Sequence, residues 1–378
     1  MNKYFTLDPV LLRKWGIRSL ITFGYLVVIG FFLYIPHVQE FFMADNKLYI
    51  YSYADMIAIE TIQEFEQLYG IKVGLKYFDS NEELLAKFKI TRGKGYDVVI
   101  PSAYMIDILR KENLLMRLDH SKLPVKEELD PRLMNHFCDP GNIYSMPGCW
   151  APYGIAYKKS IFSKEPEKIS LSLIFEKPSQ SVHPDLITSD YKIAVLEDSR
   201  EMSCFAGFYL FGHEHAQDFT DERIAKIQDL LLNQKKWAES YFHQDLRYFF
   251  LADVFQVAIT PNQYIRRVYA VSDDIGFQIP TEGSIFTLEG YCISAESKKV
   301  DAAHLFINFM LTKKISAYNA EYYGYNPPNR FAYDLVDPEF SQNKHFFPSD
   351  DIFAKLQLLH NDTPRKKLEE MWLTVKSS

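Results

Sequence analysis

Between Lys47 and Lys111 the chain alternates strand-like and helix-like segments separated by short loops, and this leaves little choice of fold class. Lys47 to Ser52 is rich in aromatic and branched residues, as strands are. Ile59, Ile62, Phe65 and Tyr69 recur at helical spacing, and Gly70 stands where a helix would stop. Ile71 to Phe78 reads as a second strand. Ser80-Asn81-Glu82-Glu83 is a capping box opening a helix to about Ile90. After Gly93-Lys94-Gly95, Tyr96 to Ile100 reads as a third strand and Tyr104 to Lys111 as a third helix. Such alternation predicts an α/β fold on a parallel, doubly wound sheet. Gly93 and Gly95 precede a strand and lack a third glycine, so they do not make a dinucleotide loop.

In an open parallel sheet, ligands bind at the carboxyl ends of the strands. That rule selects Tyr53 and Asp55 after the first strand, and Ser102 and Tyr104 after the third. It also selects Asp198 and Glu201, which follow the apolar strand Lys192 to Leu196. Asp198 and Glu201 fall on one face of a helix's first turn, where the helix dipole favours carboxylates. Paired acids there suit a cationic group. Each residue also has a plain structural role: Asp198 or Ser199 as an N-cap with Glu201 as capping partner, Ser102 as an N-cap, and the tyrosines as rim packing.

Beyond Lys111 the pattern is less regular. Pro124 to Trp150 reads as loop, Tyr153 to Lys158 as a strand, and Thr220 to Tyr241 as one amphipathic helix. Val254 to Ile259, Ile275 to Pro280 and Ser284 to Cys292 read as strands, Val300 to Lys313 as a helix, and Glu321 to Asn329 as a turn-rich loop, with helices in the tail to Val375.

The 378 residues suggest two domains, and a net charge of −7 argues against a nucleic-acid partner. Ser19 to Gln39 carries no charge, with Lys3, Arg13, Lys14 and Arg18 before it and Glu40 and Asp45 after it. By the positive-inside rule, residues 1–45 are expected to form a cytoplasmic tail and an N-terminal transmembrane helix or uncleaved signal, anchored by residues 19–38. Everything later is then exported. No small-x-small cleavage pattern or lipobox cysteine follows. Four cysteines and no C-x-x-C pair exclude a disulfide scaffold and argue against a zinc site, although Cys138 and Cys149 flank a turn and are candidates for pairing in an oxidising compartment. No nucleophile–base motif appears, so no catalytic residue and no cofactor is expected. His136, His213, His215 and His360 are scattered, and His213-x-His215 is at most a weak metal hint.

Several passages resemble the substrate-binding proteins of bacterial polyamine ABC transporters, the spermidine/putrescine-binding type. They include Leu48 to Tyr53, Gly70 to Val73, Tyr77 to Asn81, Tyr96 to Tyr104, Asp119 to Leu123, Leu129 to Pro131 and Tyr144 to Pro147 with Trp150. Glu197 to Glu201, Gly283 to Phe286, Phe306 to Phe309 and Gly324 to Asn329 follow in family order. The resemblance implies a two-lobed periplasmic-binding-protein fold with a hinge and an interlobe cleft. Residues 46–156 plus 288–335 would form one lobe, and 157–287 plus 336–378 the other. It implies a non-enzymatic periplasmic receptor, expected to be a monomer, that hands a polyamine to inner-membrane ABC permease subunits.

Carried over by position, the family's binding residues fall on Tyr53, where Trp is usual, and on Ser102, Tyr104, Asp198 and Glu201. They also fall on Glu289, where Asp is usual, on Tyr325, and near His360. Thr260 and Thr287 stand where two tryptophans usually sandwich the methylene chain, and Ala54 where a hydroxyl is common. The resemblance thus keeps the anionic half of the site and thins the aromatic half. Two other readings remain. Tyr322, Tyr323 and Tyr325 are reminiscent of the tyrosine cluster of ferric-ion binders, and a membrane anchor also suits a sensor without transport, although the cytoplasmic tail is too short for a signalling domain.

Overall fold

The computed structural model describes residues 47–177, 185–186, 191–242, 246–269, 271–360 and 364–378, together with positions 18, 22–26 and 28–29. Residues Met1–Lys47 and Leu48–Ser378 form separate units. In the first, positions 18, 22–26 and 28–29 are helical, with Phe23, Tyr25 and Leu26 exposed. No helix among the described residues is long and apolar enough to cross a membrane, so the expected transmembrane helix is not found there. Most of residues 19–38 lies outside the described set.

The second unit opens as the alternation predicts: β1 (Lys47–Ser52), α1 (Ile59–Tyr69), β2 (Lys72–Tyr77), α2 (Asn81–Thr91), β3 (Val98–Val99) and α3 (Ala103–Lys111). Local chemistry sets these boundaries. Gly70 closes α1 in the left-handed conformation at φ 67°, which costs least at glycine. The Ser80 hydroxyl accepts from the Glu83 N–H at 3.2 Å to start α2. There follow β4 (Ser145–Lys158), β5 (Ile193–Leu196), α4 (Ser199–Phe211), α5 (Asp221–Gln234), β6 (Ala238–Phe242), β7 (Val257–Pro261) and α6 (Asn262–Tyr269). The chain continues through β8 (Ile275–Gln278), β9 (Ser284–Ile293), α7 (Val300–Met310), α8 (Lys313–Tyr323), β10 (Leu356–Gln357) and α9 (Arg365–Ser377).

Ten described strands form a sheet in the order β2-β1-β3-β9-β4-β7-β5-β6, with β8 on β4 and β10 on β9. It is mixed, which corrects the expected all-parallel arrangement. β1 and β3 are parallel, as are β7, β5 and β6, but β9 runs antiparallel to β3 and β4, and β4 antiparallel to β7. β4 changes partners along its length: Ser145 to Pro152 pair with β9, and Tyr153 onward with β7 and β8. The first half, expected to be loop, is strand. Pro147 is accommodated because the register shifts between Pro147 and Cys149, a bulge that releases the ladder locally.

Two further expectations change. The helix expected over Thr220 to Tyr241 ends at Gln234, and the chain then forms β6, where Tyr241 and Phe242 pair with Val195 and Leu196. All four cysteines are free and buried, so Cys138 and Cys149 do not pair. They lie in different apolar clusters, and the Cys149 thiol donates to Glu289 Oε2 at 3.5 Å.

The apolar core follows the two stretches of sheet. Leu48, Ile50, Phe65, Val98 and Phe306 pack around β1 and β3, whereas Ile155, Ile193, Val195, Phe205 and Ile259 pack around β5 and β7. Fully buried Trp150 stands where β4 changes partners, edge-on to Phe286 and Phe353, with its Nε1–H donating to the Pro327 carbonyl at 3.3 Å.

Candidate binding site

The carboxyl ends of β1, β3 and β5, the start of α6 and the middle of β9 converge on one cavity of about 790 Å³. Ten of the twelve residues singled out from the sequence line it: Tyr53, Ala54, Asp55, Ser102, Tyr104, Asp198, Glu201, Thr287, Glu289 and Tyr325. The other two do not, and both placements are corrections. Thr260 is fully buried opposite Gly154 with its hydroxyl donating to the Pro261 carbonyl at 3.3 Å, and Pro261 lines the wall instead. His360 packs its ring against Phe137 at 5.1 Å, and Leu358 and Leu359 reach the cavity in its place.

The acids form two couples. Asp198 caps α4, its Oδ1 accepting from the N–H groups of Arg200 at 2.8 Å and Glu201 at 2.9 Å. Capping and exposure to the cavity coexist, because an aspartate keeps lone pairs beyond those the cap uses. Deeper in, Glu201 Oε1 accepts from the Tyr153 hydroxyl at 2.7 Å. Burial and then the Asp198 charge push the Glu201 carboxyl up to about 8, although the Tyr153 hydrogen bond pulls the other way. The second couple is Glu289 with Asp55. Burial, with a smaller push from Asp55, raises Glu289 to about 8. Both glutamates keep some surface toward the cavity but are ringed by protein, so the charged form is poorly solvated there. None of these four carboxylates has a Lys or Arg ion-pair partner among the described residues.

The aromatic positions behave differently. Tyr53 packs on Phe78 with ring centroids 4.4 Å apart, and Tyr325 is buried with its hydroxyl donating to the Met56 carbonyl at 2.8 Å. Ser102 accepts from Asn81 Nδ2 at 2.7 Å and bridges to Glu289 across the sheet, which fixes the β3 end against β9. Tyr104 is not a free aromatic face. The Arg200 guanidinium lies 4.2 Å from its ring centroid and that of Arg365 5.7 Å away. The Tyr104 hydroxyl donates to Glu82 Oε1 at 3.3 Å, and Arg365 pairs with the same carboxylate. Burial alone would raise Glu82, but the Arg365 guanidinium outweighs it and holds the carboxyl below its usual range.

Sequence reasoning passed over Arg200, Arg365, Glu82, Tyr153, Tyr264 and Arg267. Arg200 and Glu82 lay inside motifs already singled out, between the two acids of α4 and within the α2 capping box. Arg365 and Tyr153 carried no local signal, since their roles come from contacts distant in sequence. The tyrosines reminiscent of ferric-ion binders stand together, the Tyr323 ring 4.9 Å from Tyr322 and 6.3 Å from Tyr325, but the Tyr323 and Tyr325 hydroxyls are engaged by backbone carbonyls. Tyr323 donates to the Ile57 carbonyl at 3.2 Å, Tyr322 is largely exposed, and burial pushes Tyr323 up to about 12, against the phenolate a ferric ion needs. His213 and His215 diverge: His215 bonds Asp218 at 2.8 Å and His213 meets Gln357.

A mixed α/β sheet whose strand ends open onto a cavity lined with carboxylates, four of them without a Lys or Arg partner among the described residues, has the make-up of a receptor for a small solute. Residues 60–348 match the bacterial extracellular solute-binding protein family, and the chain belongs to it. It is a binding protein, not an enzyme. Among its relatives is the spermidine/putrescine-binding periplasmic protein 1 of Haemophilus influenzae, 29% identical over 82% of each chain. The putrescine-binding periplasmic protein PotF of Escherichia coli K12 is 29% identical over 88% of this chain and 92% of its own. The spermidine/putrescine ABC transporter substrate-binding protein PotD from Streptococcus pneumoniae superposes with a TM-score of 0.75 at 26% identity, covering 88% of this chain and 99% of that one. The periplasmic-binding-protein fold implied by the sequence resemblance is thus the fold of the chain.

Proposed function

We propose that this chain is the substrate-binding component of an ABC uptake system for a polyamine, capturing a cationic amine in the cavity and delivering it to a membrane permease. The observation that carries this reading is the convergence of Asp55, Asp198, Glu201 and Glu289 on one cavity with no lysine or arginine among the described residues paired to them. An ammonium meets a carboxylate in a charge-assisted hydrogen bond, and one placed between two coupled acids relieves their mutual repulsion. The names of the relatives point to the same ligand class and to the periplasm. Tyr53 and Thr287 would flank the methylenes, with Ser102, Tyr104 and Tyr325 holding the walls.

Two lobes, of residues 46–156 with 288–335 and of 157–287 with 336–378, would close on the ligand by a hinge. The change of partners along β4 between Pro152 and Tyr153 supports a two-part division, with the crossing a few residues earlier than position 156. Small-angle scattering should then show compaction on adding ligand, and an unchanged profile argues against closure. The apolar stretch 19–38 would anchor the protein in the inner membrane, a reading supported by its one-sided flanking charge. Release of the full chain from membranes by alkaline carbonate would remove that element.

The function itself is tested by thermal denaturation with putrescine, spermidine, uncharged 1,4-butanediol and ferric citrate. A ligand at about a hundred times its Kd stabilises a protein by about 2.7 kcal/mol, so an amine should raise Tm by several degrees and the diol should not. Stabilisation by ferric citrate alone would overturn the amine reading.

A further inference from the structure

The positive charges around the cavity carry the reading further than its acids do. Of the acids that line it, Glu82 is paired with Arg365 and Glu197 with Lys376. Asp79 stands exposed at the rim, its N–H donating to Glu83 Oε2 at 2.9 Å. What remains is two couples, Asp198 with Glu201 and Asp55 with Glu289, each a deep glutamate and an outer aspartate. The couples sense one another, since the Glu289 charge raises Glu201. A third position has the same chemistry as a cation seat: the Tyr104 ring beside the Glu82 carboxylate. Arg200, only 6% exposed, already lies against that ring, and Arg365 takes both ring and carboxylate. Arg267 adds another positive charge to the wall, held by the Tyr322 carbonyl at 2.6 Å.

We propose that the cavity is a two-charge site that takes an α,ω-diamine in preference to a tri- or tetra-amine, because Arg200 and Arg365 fill from within the chain the seat a third ammonium would need. This rests on the amine-receptor reading. Each ammonium of a diamine meets one acid couple. A third ammonium finds Glu82 neutralised, the Tyr104 face covered and guanidinium groups nearby. Arg365 is the specificity-determining residue open to test. Its side chain is partly exposed, and it reaches Glu82 from α9 rather than from the sheet, so replacing it leaves the core untouched.

The test is competition between putrescine and spermidine for labelled putrescine, measured by equilibrium dialysis on the full chain. The wild type should prefer putrescine about tenfold or more. Arg365→Gln frees Glu82 and should shift the ratio toward spermidine about tenfold. Adding Glu82→Gln to Arg365→Gln should cancel that gain, which separates a charge seat from general loosening. Equal wild-type affinity for the two amines, or a ratio that Arg365→Gln does not move, overturns the proposal while leaving the amine receptor standing. Absence of binding by either amine overturns both.

Discussion

The Tyr153 hydroxyl donates a 2.7 Å hydrogen bond to Oε1 of Glu201, tying the second half of β4 to the first turn of α4. The bond favours the ionised carboxylate, the form that receives an ammonium, against a burial that disfavours it. Hydrogen bonds to charged groups contribute about 1.5–3 kcal/mol. Tyr153→Phe is therefore expected to weaken amine binding about tenfold or more with a normal fold. Titration calorimetry with a circular-dichroism control decides it, and unchanged affinity would show that the phenol does not support the site.

Binding should also depend on pH in a definite direction. Glu201 and Glu289 are both pushed up to about 8, so the empty site holds protons at pH 6 that a bound ammonium must displace. Ligand lowers the pKa of each, protons are released, and affinity rises with pH until about 8. Above that it levels off, and it declines only as the amine approaches its own deprotonation near pH 10. A loss of about tenfold or more is expected between pH 8 and pH 6. Calorimetry in buffers of different ionisation enthalpy would report the proton release directly, and an affinity that is flat or higher at pH 6 contradicts this electrostatic picture.

Thr260 and Thr287, both standing where tryptophan is usual, should respond in opposite ways. Thr287 faces the cavity, which has room for an indole, and a ring over a bound ammonium adds about 0.5–2 kcal/mol. Thr287→Trp should tighten amine binding by that amount. Thr260 is fully buried opposite Gly154, so Thr260→Trp overpacks the strand and should cost at least about 1–3 kcal/mol of stability. Urea denaturation alongside ligand titration separates the two effects. A stable Thr260→Trp with improved affinity would mean that this residue does reach the ligand.

What was legible in the sequence was what is encoded locally. The segment from β1 to α3 follows from period, caps and glycine stops, each spanning a few residues. The strand-end rule then found Tyr53, Asp55, Ser102, Tyr104, Asp198 and Glu201 at the cavity without any relative to compare. Family resemblance added Glu289, Thr287 and Tyr325, because β9 reaches the cavity through antiparallel pairing that no local pattern reveals. The first half of β4 was hidden by Pro147, Gly148 and Pro152, which local propensity reads as loop. The pairing of Arg365 with Glu82 joins positions 283 apart, and only the folded chain brings them together.

On the amine-receptor reading, the opening of α4 is both a helix cap and one half of a cation clamp. The most direct measurement is calorimetric titration of putrescine into the wild type and into Asp198→Asn/Glu201→Gln, with denaturation curves for both. Asn retains a side-chain oxygen for the cap, so the double variant should fold with nearly wild-type stability. Its amine binding should fall at least about a hundredfold, below detection. Retention of wild-type affinity in a folded double variant would contradict the account and leave Asp198 as a cap alone.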